Sequence, residues 1–177
     1  KIAAVSMRKL ARRDATAAAA AFGPMAAHFD WPEAEQQSLW RDIALWSAVA
    51  LDVETASRME RVPATYRDSQ LMEWWARFLL SAGDWLALAE VISQMPDETR
   101  NDDRWQYWLA QARLRSGQAG QDAGLMQLAQ KANYYGFLAA DELGLAYNIC
   151  PLEPDVEVAE IDRTAGLEGF QRALVLR

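Results

Sequence analysis

Apolar side chains recur at spacings of three and four residues along almost the whole chain, with polar and charged residues between them. This spacing places the apolar positions on one face of an α-helix, whereas the alternating runs of valine, isoleucine and threonine that are typical of strands are missing. The sequence therefore predicts an all-α fold. The predicted helices cover residues of about 2–12, 14–28, 32–50, 53–61, 69–82, 85–95, 103–116, 121–131, 134–143 and 167–177.

Capping residues indicate where two of these helices begin. Asp30 and Asp103 each stand three residues before an acidic or amide side chain that can reach back to the start of the helix. Pro32 would lie in a first turn, where the missing N–H of proline costs no hydrogen bond. Gly23-Pro24 falls inside the second predicted helix, so that helix is either kinked or divided into two pieces.

Three glycines indicate where helices end. Gly83, Gly117 and Gly144 each follow a periodic segment, at a position where a left-handed backbone conformation is least costly for glycine. The clearest predicted loops are residues 97–102 and residues 150–155. The other connections are short, so neighbouring helices should pair as antiparallel hairpins.

A repeat with a period of 34 residues is visible in the tryptophans, because Trp40, Trp74 and Trp108 are spaced at that interval. A helix hairpin of this length cannot bury its apolar face alone, so successive hairpins must stack around a continuous core. The period matches that of tetratricopeptide repeats, although the standard residue pattern of those repeats is absent. The predicted architecture is thus a set of stacked antiparallel helix hairpins, a tetratricopeptide-like α-superhelix.

Composition argues against several classes of function. The 25 acidic and 18 basic residues give a net charge of −7, which repels a phosphate backbone and disfavours nucleic acid as a partner. The single cysteine, Cys150, and the single histidine, His28, provide no disulfide framework, no metal cluster and no nucleophile–base pair. No metal and no cofactor is predicted, and neither residue is assigned a role.

No apolar stretch reaches the roughly 20 residues that a transmembrane helix needs, so no membrane-spanning segment is predicted. The first residues, 1–13, lack the features of a signal peptide, and residue 1 is lysine rather than methionine. We interpret the chain as a piece of a longer protein. A chain without disulfides is compatible with the cytoplasm and with the periplasm.

Two segments carry a family resemblance. Residues 133–144, with the sequence NYYGFLAADELG, resemble a stretch that is typical of soluble lytic murein transglycosylases, in which it closes the last hairpin of the superhelical region. Residues 104–110, RWQYWLA, are similar to the opening of the preceding hairpin in that family. Both segments occur in the order and at the spacing of the family.

The resemblance implies a periplasmic parent enzyme that processes peptidoglycan. In this family the helical domains form a ring, and a separate C-terminal lysozyme-like domain cleaves the β-1,4 bond between N-acetylmuramic acid and N-acetylglucosamine to give 1,6-anhydromuramic products. The expected partners are therefore peptidoglycan glycan strands, through the parent enzyme, and the absent catalytic domain. We expect residues 1–155 to form the helix-hairpin array and residues 156–177 to form a terminal helix leading towards the remainder of the parent.

Four aromatic residues are candidates for contact with glycan, because aromatic faces pack well on pyranose rings. Trp31 and Trp85 stand near helix starts and are the tryptophans that we expect to be most exposed. Tyr134 and Tyr135 open the helix of the family-like stretch. For each of the four the alternative is packing, since tryptophan and tyrosine on amphipathic helices most often belong to the core or close a hairpin.

One segment resembles part of an active site. Residues 124–128, GLMQL, reproduce an element that lines the catalytic cleft of the same family, where it follows the catalytic Glu-Ser by about twenty residues. Here the nearest upstream glutamate is Glu98, which is 26 residues before Gly124 and is followed by Thr99. Leu125 and Leu128 fall at helical spacing. The sequence therefore predicts a hairpin helix at this place, no catalytic residue in the chain, and no activity of the chain alone.

A helical repeat also admits a function of a different class. Superhelical arrays present a concave face that binds proteins or extended peptides. A scaffold that binds a protein or peptide partner is therefore the alternative to the non-catalytic body of an enzyme.

Overall fold

The computed structural model describes residues 2–118, 122–149 and 158–175, and this part of the chain is helical without strands, as predicted. A 3-10 turn spans Ala64–Tyr66. The helices are α1 (Ile2–Arg13), α2 (Ala15–Phe29), α3 (Glu33–Val49), α4 (Thr55–Glu60), α5 (Ser69–Ala82), α6 (Trp85–Ser93), α7 (Asp97–Arg100), α8 (Asp103–Arg115), α9 (Asp122–Leu128), α10 (Tyr134–Leu143), α11 (Val158–Ala165) and α12 (Glu168–Val175).

The helices stack in chain order. Helices α1, α2 and α3 pack on one another, α3 packs on α5, α5 on α6, α6 on α8, α8 on α9, and α9 on α10. The two residues between α5 and α6 leave room only for an antiparallel turn. The sequence prediction of stacked hairpins is confirmed.

The core is continuous from α1 to α10. One cluster of buried residues fills the space among α1 to α4 and the start of α5, a second lies among α5, α6 and α8, and a third among α8, α9 and α10. Trp75 and Phe78 pack against both the first and the second cluster, and Trp108 packs against the second and the third. Each hairpin therefore completes its core with its neighbours, as expected of a solenoid.

The 34-residue repeat locates residues at the hairpin interfaces. Trp40 is buried, with its indole Nε1 donating to the backbone oxygen of Arg58 over 3.2 Å. Trp74 and Trp108 occupy the matching positions on α5 and α8, where they are half-buried. The tryptophan most deeply buried on α8 is Trp105, which is 1% exposed. The repeat thus finds the correct helices but not the side chain that contributes most to the core.

The helix ends agree with the glycine pattern. Gly83, Gly117 and Gly144 have φ values of 70°, 75° and 65°, which lie in the left-handed region that glycine adopts without strain. Gly83 and Gly144 cap α5 and α10 through backbone N–H groups that donate to carbonyls of the last turn. Helix α2 continues through Pro24, so Gly23-Pro24 does not divide it.

The predicted caps need two corrections. Asp30 does not begin α3 but ends α2 in a left-handed conformation with φ 48°, and its backbone N–H donates to Ala26. Aspartate tolerates this conformation better than most residues, and α3 starts after Pro32 without a side-chain cap. The cap of α8 is Asp102 rather than Asp103, because its carboxylate accepts from the backbone N–H of Arg104 over 2.9 Å.

Two predicted segments differ from the structure. The expected loop 97–102 contains α7, since the proline before it and the acidic residues of its first turn favour a short helix. The expected single terminal helix, 167–177, is instead the second of a pair, α11 and α12, which contact each other. The expected loop 150–155, with Cys150, lies outside the described residues.

A buried arginine ties α2, α3 and α4 together. Arg58 is 6% exposed, and its guanidinium donates to Asp52 Oδ2 (2.6 Å), Ser47 Oγ (2.7 Å) and Thr16 Oγ1 (3.1 Å). The Thr16 hydroxyl donates to the same carboxylate over 2.6 Å. The hydrogen bond from Thr16, then that from the backbone N–H of Glu54 and the ion pair with Arg58, lower the pKa of Asp52 to about 2. Nothing in the local sequence predicts this network.

Candidate functional site

The structure does not bring the four candidate aromatic residues together, and it removes Trp31 from the set. Trp31 is only 7% exposed and belongs to the first core cluster. Its indole stacks on Phe29, with ring centroids 6.0 Å apart, and also contacts Phe22. The expectation that Trp31 is exposed is wrong, because aromatic residues on α2 cover the ring.

Trp85 is half-buried at the first position of α6. The guanidinium carbon of Arg115, from the end of α8, lies 4.5 Å from the centroid of the indole ring. This cation–π contact occupies a face of the ring. Trp85 is therefore less suited to stack on a sugar than its position near a helix start predicted.

Tyr134 and Tyr135 do form a local aromatic surface at the start of α10. Tyr134 is 67% exposed, and its ring meets Tyr135 edge to face with centroids 5.1 Å apart. Tyr135 is half-buried and lies 5.8 Å from the buried ring of Tyr107 on α8. Burial raises the pKa of the Tyr135 phenol, so this hydroxyl stays protonated at neutral pH.

A set of hydrogen bonds holds the tyrosine pair against α8. Asn133 caps α10 by accepting from Gly136 N over 2.9 Å, and its amide donates to Asp103 Oδ2 over 2.8 Å. Lys131 donates to the other oxygen of Asp103, and this bond lowers the pKa of the carboxyl. A Cβ on Gly136 would overlap the backbone oxygen of Lys131, so only glycine permits this close approach.

Arg77 and Arg104 lie close enough to Tyr135 for their charges to act on its pKa, and sequence analysis did not assign either of them a binding role. The guanidinium of Arg77 lies over the rings of Trp74 (4.9 Å) and Trp105 (5.4 Å) and pairs with Glu73 over 3.0 Å. Arg104 lies over Trp105 at 5.1 Å. The spacing of Trp74 and Arg77, three residues apart on one helix face, is the sequence signal that could have located the first contact.

A groove with a volume of about 440 Å³ lies between α3 and residues 65–68, which precede α5. Arg41 donates from Nη2 to both carboxylate oxygens of Asp68 at 2.7 Å, and from Nη1 to Asp42 at 3.0 Å. The guanidinium is thus already neutralised by carboxylates of the protein. Arg67 also lines this groove, and its guanidinium donates to the backbone oxygens of Val62 (2.8 Å) and Met59 (3.4 Å).

The segment that resembles a cleft-lining element is a packed helix. Residues 124–128 lie in α9, with Leu125 1% and Leu128 3% exposed in the third core cluster. Glu98 is exposed in α7. The prediction that this segment forms the second helix of a hairpin is confirmed.

Two further features bear on binding. No group of three or more histidine, cysteine, aspartate or glutamate residues in the described ranges is placed to hold a metal ion. Among those same residues, no helix is long and apolar enough to cross a membrane.

Comparison with known proteins identifies relatives of the helical array. The chain is 30% identical over 152 residues to the soluble lytic murein transglycosylase of Escherichia coli K12, a match that spans 84% of this chain. The chain belongs to the soluble lytic murein transglycosylase family. It spans only 23% of the length of that relative. A scan against models of protein families gives no match.

Solved structures of lytic transglycosylases contain the same arrangement of helices. The 70-kDa soluble lytic transglycosylase of E. coli superposes with a TM-score of 0.68 at 29% identity, over 81% of this chain and 24% of its own. An inactive mutant of the lytic transglycosylase Slt from Pseudomonas aeruginosa superposes with a TM-score of 0.73 over 97% of this chain and 28% of its own. At 24% identity, that second likeness concerns the fold alone. The chain thus matches a helical part of these lytic transglycosylases, over 24% to 28% of their length.

Proposed function

We propose that this chain is the ring-forming, non-catalytic body of a periplasmic soluble lytic murein transglycosylase. A separate C-terminal lysozyme-like domain of the parent would cleave the bond between N-acetylmuramic acid and N-acetylglucosamine in peptidoglycan and leave 1,6-anhydromuramic ends. The observation that carries the proposal is the match of 84% of this chain to 23% of a soluble lytic murein transglycosylase. The match supports membership of the family and leaves most of the relative's length outside this chain.

The packing of α9 supports a non-catalytic role. A general acid for glycan cleavage needs a carboxyl in a desolvated cleft, so that its pKa rises far enough for it to stay protonated at neutral pH. The segment that resembles the cleft element instead points Leu125 and Leu128 into the hairpin core. Glu98, the nearest upstream glutamate, is exposed in a four-residue helix.

The proposed division of the chain follows the packing. Helices α1 to α6 and α8 to α10 contribute to the continuous core, which fits a helix-hairpin array over residues 1–155. Helices α11 and α12 lie within the terminal segment 156–177, and that segment would lead towards the remainder of the parent.

The test uses the parent gene and its product. The coding sequence downstream of this chain should contain a Glu-Ser-x-Phe element followed by a Gly-Leu-Met-Gln element. The purified parent should release 1,6-anhydromuropeptides from peptidoglycan, measured by liquid chromatography with mass spectrometry, and exchange of that glutamate for glutamine should abolish the release. A parent that lacks these elements, or that has them and releases no anhydro product, would refute the proposal.

A further inference from the structure

We propose that Tyr134, Tyr135 and Arg104 form a non-catalytic binding site for a pyranose that carries a carboxylate. The sugar ring would lie on the open face of Tyr134, and the carboxylate would pair with the Arg104 guanidinium. The identity of the ligand rests on the proposed function, since N-acetylmuramic acid is a pyranose with an acidic substituent.

The three residues are neighbours because α10 begins against the first turn of α8. The hydrogen bond of 2.8 Å from Asn133 to Asp103 joins the residues immediately before Tyr134 and Arg104. Arg104 also lies three residues before Tyr107, on the same face of α8, and Tyr107 contacts Tyr135 at 5.8 Å. The aromatic pair and the guanidinium therefore share one surface.

Arg104 has capacity for a carboxylate ligand. Its side chain is 34% exposed, and that side chain donates no hydrogen bond to any group in the described part of the chain. Its nearest carboxylate, Asp102, stands 3.8 Å from Nε and accepts the backbone N–H of Arg104 instead. Its Nε is buried, and the guanidinium carbon lies 5.1 Å from the centroid of the Trp105 ring. Because a guanidinium is planar, its two Nη groups can donate hydrogen bonds to a carboxylate in a fixed geometry.

Tyr134 has capacity for a sugar ring. It is two-thirds exposed, and its edge-to-face contact with Tyr135 leaves a face of the ring open to solvent. An exposed aromatic ring beside a fixed cation binds both parts of an acidic sugar. The other candidates lack this combination, because the Trp31 ring is covered, Arg115 lies over Trp85, and Arg41 is paired with Asp68.

The site is small, so binding should be weak, with a Kd on the order of 1 mM. Titration of the chain with the disaccharide N-acetylglucosamine–N-acetylmuramic acid, followed by amide proton–nitrogen correlation spectra, measures both affinity and location. The largest changes in peak position are expected at residues 102–105 and 133–136. Chitobiose, in its N,N′-diacetyl form, has the same rings without the lactyl ether that carries the carboxylate, and it should bind at least fivefold more weakly.

Variants separate the two contacts. Tyr134→Ala should weaken binding of both disaccharides at least fivefold. Arg104→Gln should weaken binding of the acidic disaccharide alone, so that the preference for it over chitobiose is lost. Arg104→Lys keeps the positive charge and should therefore retain part of this preference. The matched controls are Arg113→Gln, an exposed arginine on the same helix, and Phe170→Ala, an exposed aromatic on α12. Neither control should change the Kd.

Three results would overturn the proposed site: equal affinity for the two disaccharides, peak changes confined to other residues, or Kd values that Tyr134→Ala and Arg104→Gln leave unchanged in folded protein. The disaccharide-tetrapeptide is a further probe. In this compound the lactyl carboxylate is amidated by the stem peptide. Binding at the same residues would therefore mean that Arg104 pairs with a carboxylate of the stem peptide. If the chain does not bind the disaccharide at this site, the parent should still release anhydromuropeptides. Failure of the proposed site can therefore be distinguished from failure of the proposed function.

Discussion

Replacing Asp52 with asparagine should destabilise the array by about 2 to 4 kcal/mol at neutral pH. In the folded chain, hydrogen bonds and the Arg58 ion pair lower the pKa of Asp52 from 3.8 to about 2. A tenfold change in a proton-binding constant corresponds to about 1.4 kcal/mol, so ionised Asp52 contributes about 2 kcal/mol to the free energy of unfolding. The upper end of the range allows for the cost of leaving the buried Arg58 without its carboxylate.

The contribution has a defined pH dependence. Because the folded pKa is the lower one, the stabilisation is fully present above the unfolded pKa of 3.8 and is lost as the pH falls through about 2. At the low end Asp52 is protonated in both states and the pH-dependent difference vanishes. The deficit of Asp52→Asn relative to wild type should therefore shrink by about 2 kcal/mol between neutral pH and about pH 2.

Urea unfolding followed by far-ultraviolet circular dichroism, at several pH values, measures this deficit. The matched control is Asp97→Asn, which removes an exposed carboxylate paired with Arg100 and should leave the stability almost unchanged at every pH. Equal stability of Asp52→Asn and wild type at neutral pH would refute the network as described. A deficit that stays constant down to about pH 2 would refute its electrostatic origin.

Four further substitutions test the packing, each by chemical denaturation. Trp105→Ala should cost about 3–5 kcal/mol, and Trp108→Ala less, because Trp105 is buried and Trp108 is half-buried; equal losses would contradict this order. Gly136→Ala should be strongly destabilising, since its Cβ would overlap the Lys131 carbonyl oxygen, and a wild-type midpoint would show that α10 starts differently. Gly83→Ala should cost about 1 kcal/mol at a φ of 70°, and a gain in stability would contradict the left-handed cap.

Local sequence signals predicted the helices well because each depends on neighbouring residues. The three- and four-residue spacing indicated the helix faces, and Gly83, Gly117 and Gly144 indicated their ends. The 34-residue spacing of tryptophan found α3, α5 and α8, the helices on which the hairpins stack. Such patterns repeat in every hairpin, so they are visible without the tertiary structure.

Features that depend on the path of the chain between helices were not predictable in this way. Trp31 was expected to be exposed because it stands near a helix start, yet rings from α2 cover it. Asp30 has a suitable side chain for an N-cap, but the direction of the chain after α2 requires a left-handed residue there. Arg58 meets Thr16 across 42 residues, and no local pattern indicates that pairing.

The candidate site was predicted in part. Tyr134 and Tyr135 were found from the family-like stretch, and they do form a surface. Arg104 belongs to the other family-like segment, but its sequence position alone does not show that α10 begins beside it. The hydrogen bond between Asn133 and Asp103, 30 residues apart, brings these two segments together.

The most direct test of the central claim is to incubate the purified chain with peptidoglycan and to quantify soluble 1,6-anhydromuropeptides by mass spectrometry. The soluble lytic murein transglycosylase of E. coli serves as the positive control. A non-catalytic helical body predicts no release above the level of buffer alone. Release by the pure chain that Glu98→Gln or Gln127→Ala abolishes would contradict the account, because it would mean that α7 and α9 contribute to an active site.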